Sequence, residues 1–73
     1  DNENYEAAFA YFQAGYQLYP RSYGGGVAYY CGRCQQLLGN NEAAKPYYEY
    51  VVQEFSSRDI ADSARARLKE MGY

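Results

Sequence analysis

The sequence predicts an all-α chain of about four helices, arranged as antiparallel helix–turn–helix units that stack on one another. Three observations carry this. Large apolar residues recur at steps of three and four in four separate segments. Glycine or proline interrupts the pattern between them, at Pro20, Gly24–Gly26 and Gly39. The chain also resembles itself at a shift of 36 residues, with NYEAAFAYFQAGYQLYP lying over NNEAAKPYYEYVVQEFS.

The first helix is expected over about Tyr5 to Tyr19, where Tyr5, Ala8, Phe9, Phe12, Tyr16 and Tyr19 form one wide apolar stripe. Asn2 or Asn4 is its candidate cap, and Pro20 follows its end. Residues 21–26, RSYGGG, read as a flexible turn, because three successive glycines favour no regular element. The second helix, about Val27 to Leu38, carries Val27, Cys31, Cys34 and Leu38 on one line at steps of four, three and four. Gly39 is expected to end it as a left-handed cap and Asn40 to cap the next helix, a link so short that the third helix must run back antiparallel.

That third helix is expected over about Asn41 to Phe55, with Ala44, Tyr47, Tyr48, Val51, Val52 and Phe55 inward. Pro46 should fall near the end of its first turn and cost at most one hydrogen bond. After Ser56-Ser57, a last helix from about Asp59 to Met71 should bury Ile60, Ala61, Ala64, Leu68 and Met71, with Arg65, Arg67, Lys69 and Glu70 outside.

Size and charge exclude several functions. Seventy-three residues allow one small domain, marginally stable without a partner or staple. A net charge of −2 lacks the basic excess of a nucleic-acid binder. No apolar run approaches the roughly 20 residues that span a bilayer, so direct membrane insertion is not expected. Eleven of the residues are tyrosine, which suits half-buried helix faces because it joins apolar area to one polar tip.

The 36-residue comparison matches Asn4 with Asn40, Glu6 with Glu42, Ala7-Ala8 with Ala43-Ala44, Tyr11 with Tyr47 and Gln17 with Gln53. Phe12/Tyr48 and Tyr19/Phe55 are aromatic in both copies. Helix pairs of this length cannot bury their apolar faces alone, so a stacked array follows.

On these residues the stretch AYYCGRCQQLLGNNEAAKPYYEYVVQEFSS resembles a tetratricopeptide repeat. Gly32, Gly39, Ala44, Tyr47-Tyr48 and Val51 occupy the family's places for a small mid-helix residue, turn glycine, alanine and paired aromatics. Ser56 stands where proline is usual, Pro20 holds that place in the preceding copy, and Ala28 takes a spot where the motif often has tryptophan. The phrase Tyr19–Ser22 and the Arg67-Leu68 pair look like bacterial versions, including those of envelope-associated proteins. The resemblance implies a short right-handed solenoid in three parts. Residues 1–20 would be the second helix of a truncated repeat whose partner helix lies upstream, 27–56 a complete repeat, and 58–73 a capping helix. Localisation stays open between cytoplasm and bacterial envelope.

The pair Cys31-Cys34 reads as core. A metal needs four ligands, and the chain has no histidine and no other cysteine. A redox C-x-x-C belongs at a helix start after a strand, where the dipole lowers the thiol pKa. The glycines before the second helix are a weak phosphate signal, because no strand precedes them and no Lys-Ser or Lys-Thr follows. No nucleophile–base pair stands out, so neither catalysis nor a cofactor is expected.

Function should therefore lie in surface. The resemblance implies that the first helix of each repeat lines a concave groove that receives partner peptides. Tyr29, Arg33 and Gln36 face away from the cysteine line, and Arg65 and Lys69 take the comparable side of the last helix, with Asp62 beside them. Cations beside tyrosine suit an acidic segment held by charge-assisted bonds. The family's clamp for C-terminal carboxylates uses lysine and asparagine, and no asparagine stands on these faces, so a generic acidic-peptide groove is the expectation. The competing expectation is structural: a terminal cap or self-association unit, whose exposed first helix presents an apolar edge to a second copy or a neighbouring repeat.

Overall fold

The computed structural model describes residues 2–73, and among them the fold is all-helical, with no strand. Four α-helices follow one another: α1 (Asn2–Leu18), α2 (Gly26–Leu37), α3 (Asn41–Glu54) and α4 (Asp59–Glu70). Asn2 and Asn4 both fall inside α1 rather than ahead of it. Each helix packs on its neighbours in the chain, and α2 also reaches α4.

The core is narrow. Ala28, Cys31, Ala44, Tyr48, Val51, Ala61 and Ala64 have no exposed surface, and Val27, Cys34 and Phe55 are buried. Ala28 of α2 and Ala64 of α4, 36 residues apart, are both fully buried. Small residues on α2 let α3 come close. A Cβ on Gly32 would lie 2.9 Å from the Tyr48 ring, and one on Gly25 would lie 2.9 Å from the Phe55 ring. The inner faces of α1 and α3 meet through rings: Tyr16 on Tyr47 at 5.2 Å, Tyr16 on Tyr50 at 5.5 Å and Phe9 on Tyr47 at 5.9 Å, all edge-to-face.

Gly39 ends α2 at φ +85°. Its N–H bonds the Gln36 carbonyl at 2.9 Å and that of Asn40 bonds the Gln35 carbonyl at 2.8 Å, which is the Schellman pattern. The same pattern closes α4, where Gly72 bonds Lys69 and Tyr73 bonds Leu68. Tyr73 then lies under Lys45 of α3, whose ammonium sits 4.4 Å from the ring centre. Asn40 occupies the cap position of α3, but its side chain makes no cap bond and donates instead to Gln35 at 2.9 Å. Pro46, the sixth residue of α3, lies in its second turn rather than near the end of the first, and the helix runs through it. The forfeited bond belongs to the carbonyl of the exposed Glu42, which water can satisfy.

The glycine-rich connection is shaped rather than flexible. Ser22–Gly25 forms a short helical turn in which Tyr23, Gly24 and Gly25 all take positive φ. Arg21 braces it, pairing with Glu54 at 2.7 Å and lying 4.6 Å over the Phe55 ring. The turn is therefore docked on the end of α3.

Candidate functional site

Residues at steps of four and three share a helix face, and Tyr29, Arg33 and Gln36 do so on α2. That face is half-buried rather than open, because it looks onto both α3 and α4. The Tyr29 ring packs 5.5 Å from that of Tyr48, and its hydroxyl accepts a bond from Arg67 Nε at 3.0 Å. Gln36 accepts the Tyr48 hydroxyl at 2.8 Å and Arg33 Nη1 at 3.4 Å. Its amide donates to Glu70 Oε1 at 3.0 Å, and Glu70 pairs with Arg67 Nη1 at 3.0 Å. One network thus joins α2, α3 and α4.

The electrostatics follow from that geometry. Burial pushes the Tyr48 hydroxyl up to about 12, against the lowering influence of Arg33 and Arg67. The bonds from Gln36 and then Arg67 hold Glu70 below its ordinary range. Tyr29 and Glu70 together keep Arg67 firmly charged. Two guanidiniums face one carboxylate here. Glu70 serves Arg67, and among the described residues Arg33 is within ion-pair distance of no carboxylate.

Arg65 and Lys69 lie elsewhere. Arg65 is about 200° around α4 from Arg67; it pairs with Asp62 at 2.8 Å and leans on the Ser56 carbonyl at 3.4 Å. Lys69 is exposed, outside the network. Arg67, Glu70 and Tyr48 are the members that sequence reasoning did not place in the site. A trace of Arg67 was legible, since Ile60, Ala64, Arg67 and Met71 are spaced four, three and four along one edge of the apolar stripe.

Both cysteines are buried free thiols. Burial, with Cys34 adding to it, pushes the Cys31 thiol up to about 12, and burial raises Cys34 as well. That is opposite to the activation a redox pair requires. Among the described residues no cluster of three or more His, Cys, Asp or Glu is placed to hold a metal ion, and no helix is long and apolar enough to cross a membrane.

A second feature lies on the far side of α2. Tyr11, Phe12, Ala14, Gly15 and Leu18 of α1, with Tyr19, Ser22, Tyr23 and Val27 after it, line an open apolar groove of about 430 Å³. Helix α1 contains no buried residue.

No protein-family model matches this chain, and no curated protein or solved structure matches it.

Proposed function

We propose that the chain is a non-catalytic protein–protein interaction module of tetratricopeptide type, and that its α2–α4 face binds an acidic peptide segment of a partner. The observation that carries this is Arg33. Its guanidinium is oriented by Gln36 beside the tyrosine rings, and among the described residues no carboxylate lies within ion-pair distance of it. A peptide carboxylate would meet a held cation there, and a charge-assisted bond is stronger than a neutral one. Arg67 adds positive potential without being free to move, since Tyr29 and Glu70 fix it. The repeat reading is supported by the 36-residue register, the equivalent burial of Ala28 and Ala64, and the short Schellman link between α2 and α3.

An amide NMR titration with acidic peptides bearing free C-termini tests the reading. Saturable shifts should centre on Tyr29, Arg33, Gln36 and Arg67. Arg33→Glu should weaken binding by about 30-fold or more, the equivalent of one lost charge-assisted bond of roughly 2 kcal/mol. The partially exposed position makes that loss smaller at high salt. If no acidic peptide moves these residues, or Arg33→Glu binds as well as the parent, the reading fails. The structural reading is favoured by a different observation, the open part of the apolar face of α1.

A further inference from the structure

Helix α1 carries a packing face that α2 covers only in part: Phe12 stacks on Tyr30 at 5.4 Å and Gly15 faces Val27, while the rest stays open among the described residues. At the 36-residue shift, Phe12, Gly15 and Tyr19 correspond to Tyr48, Val51 and Phe55 of α3. These three, in α3 and at its end, are buried, two of them against glycines: Gly32 of α2 on Tyr48, and Gly25 of the preceding turn on Phe55. In α1 and at its end their counterparts line the open groove, and Tyr19 is 69% exposed. Beside them runs the outermost ridge of the helix, Ala7, Tyr11, Ala14 and Leu18, all exposed, with Tyr11 at 77% and Leu18 at 72%.

The steps along that ridge are four, three and four, the a/d spacing of a helix–helix seam. Its residues alternate small, large, small, large. That alternation is self-complementary in one orientation only. In an antiparallel pair, Tyr11 falls against Ala14 of the partner subunit and Leu18 against Ala7 of the partner subunit, and the two-fold axis repeats both contacts. A parallel pair in register would set tyrosine on tyrosine and alanine on alanine, leaving clashes and gaps in alternate layers.

Charge selects the same orientation. The charged residues of α1 are Glu3 and Glu6, both in its N-terminal half, and Arg21 follows its C-terminal end. Arg21 is already paired with Glu54, so the acidic residues decide: antiparallel pairing sets the Glu3 and Glu6 carboxylates of the two helices at opposite ends of the seam, where a parallel pair would set them side by side, and it opposes the helix dipoles. The flanks of the seam, Ala8, Ala10 and Gly15, are small and allow close approach.

The geometry points to a second copy of this chain as the occupant of the α1 face: an antiparallel homodimer with Ala7, Tyr11, Ala14 and Leu18 as its seam. The inference stands on α1 alone and is independent of the acidic-peptide reading. One seam of about two heptads is short, so the dimer belongs in the micromolar-to-millimolar range.

Sedimentation equilibrium on the full chain tests it. The mass should rise from monomer toward dimer with concentration. Leu18→Asp should weaken the dimer by about a hundredfold or more, because two leucines leave the seam together. Tyr11→Ala and Ala14→Tyr should each weaken it. The double variant Y11A/A14Y should recover it, since the large and small partners merely exchange places. All three substituted positions are exposed, and circular dichroism confirms the folding of each variant. A chain that stays monomeric throughout overturns the proposal, as does a dimer indifferent to Leu18→Asp. A double variant no tighter than its singles overturns the antiparallel register, whereas a chain that stays monomeric leaves a partner helix as the occupant to pursue.

Discussion

Two glycines in two helices should respond to the same substitution with opposite sign. Gly32 lies in the interior of α2, where a Cβ would stand 2.9, 3.0 and 3.1 Å from three atoms of the Tyr48 ring. Carbon contacts relax near 3.5–4.0 Å, so the ring or the helix must move by about half an ångström or more. The ring has little freedom to do so. It is fully buried, the Tyr29 ring lies beside it, and its hydroxyl is tied to Gln36 at 2.8 Å. Overpacking of this kind costs about 1–3 kcal/mol, and the confinement of Tyr48 places Gly32→Ala in the upper half of that range. Alanine returns about 1 kcal/mol through its better helix propensity. The net expectation is a loss of about 1–2 kcal/mol.

Gly15, in the interior of α1, supplies the control. Its added Cβ would meet only Val27 Cγ1 at 3.8 Å, an ordinary contact. Nothing opposes the propensity gain, so Gly15→Ala should stabilise by about 0.5–1 kcal/mol. Urea unfolding followed by far-UV circular dichroism, at a protein concentration where sedimentation shows only monomer, reads both. In thermal melts each kcal/mol corresponds to about 4–8 °C for a domain of this size. Equal or greater stability of Gly32→Ala relative to the parent would refute the claim that α2 and α3 are spaced by that glycine.

Two further outcomes follow from the same structure. Burial raises Cys31 from an unfolded value near 9 to about 12 and raises Tyr48 from 10 to about 12, so the folded chain holds protons that the unfolded chain releases; stability should be level around neutral pH and fall as pH rises from about 9 toward 12, which urea midpoints across that window check, and a midpoint rising with pH there would contradict it. Tyr23 sits at φ +55° with its side chain 90% exposed, so it bears backbone strain with little packing to offset it; Tyr23→Gly should raise stability by about 0.5–1 kcal/mol, and a lower urea midpoint in this variant would argue that the ring has a packing role.

The helices themselves were legible because their pattern is local. The steps of three and four along Tyr5–Tyr19, Val27–Leu38, Asn41–Phe55 and Asp59–Met71 place every helix end within three residues of its observed position. The left-handed conformation of Gly39 was legible for the same reason, since a glycine after an apolar stripe has few other roles. So was the burial of Cys31 and Cys34, which follows from their alignment with Val27.

The candidate site was only half legible. Tyr29, Arg33 and Gln36 were found as a helix face, but periodicity cannot say what that face meets. An apolar stripe has two polar edges, and only the crossing of α4 over α2 decides which edge turns toward the site. It turned Arg67 and Glu70 inward and left Arg65 on the other side with Asp62. Asn40 chose Gln35 over its own helix end for a similar reason, a partner across the turn that spacing does not reveal. The sequence by itself determined where the helices lie and which stripe of each is apolar, because those depend on backbone geometry within a few residues. Which charges of the α2–α4 face are paired, and which face of α1 stays open, were decided by the tertiary structure, because each depends on the angle and distance at which separate helices meet.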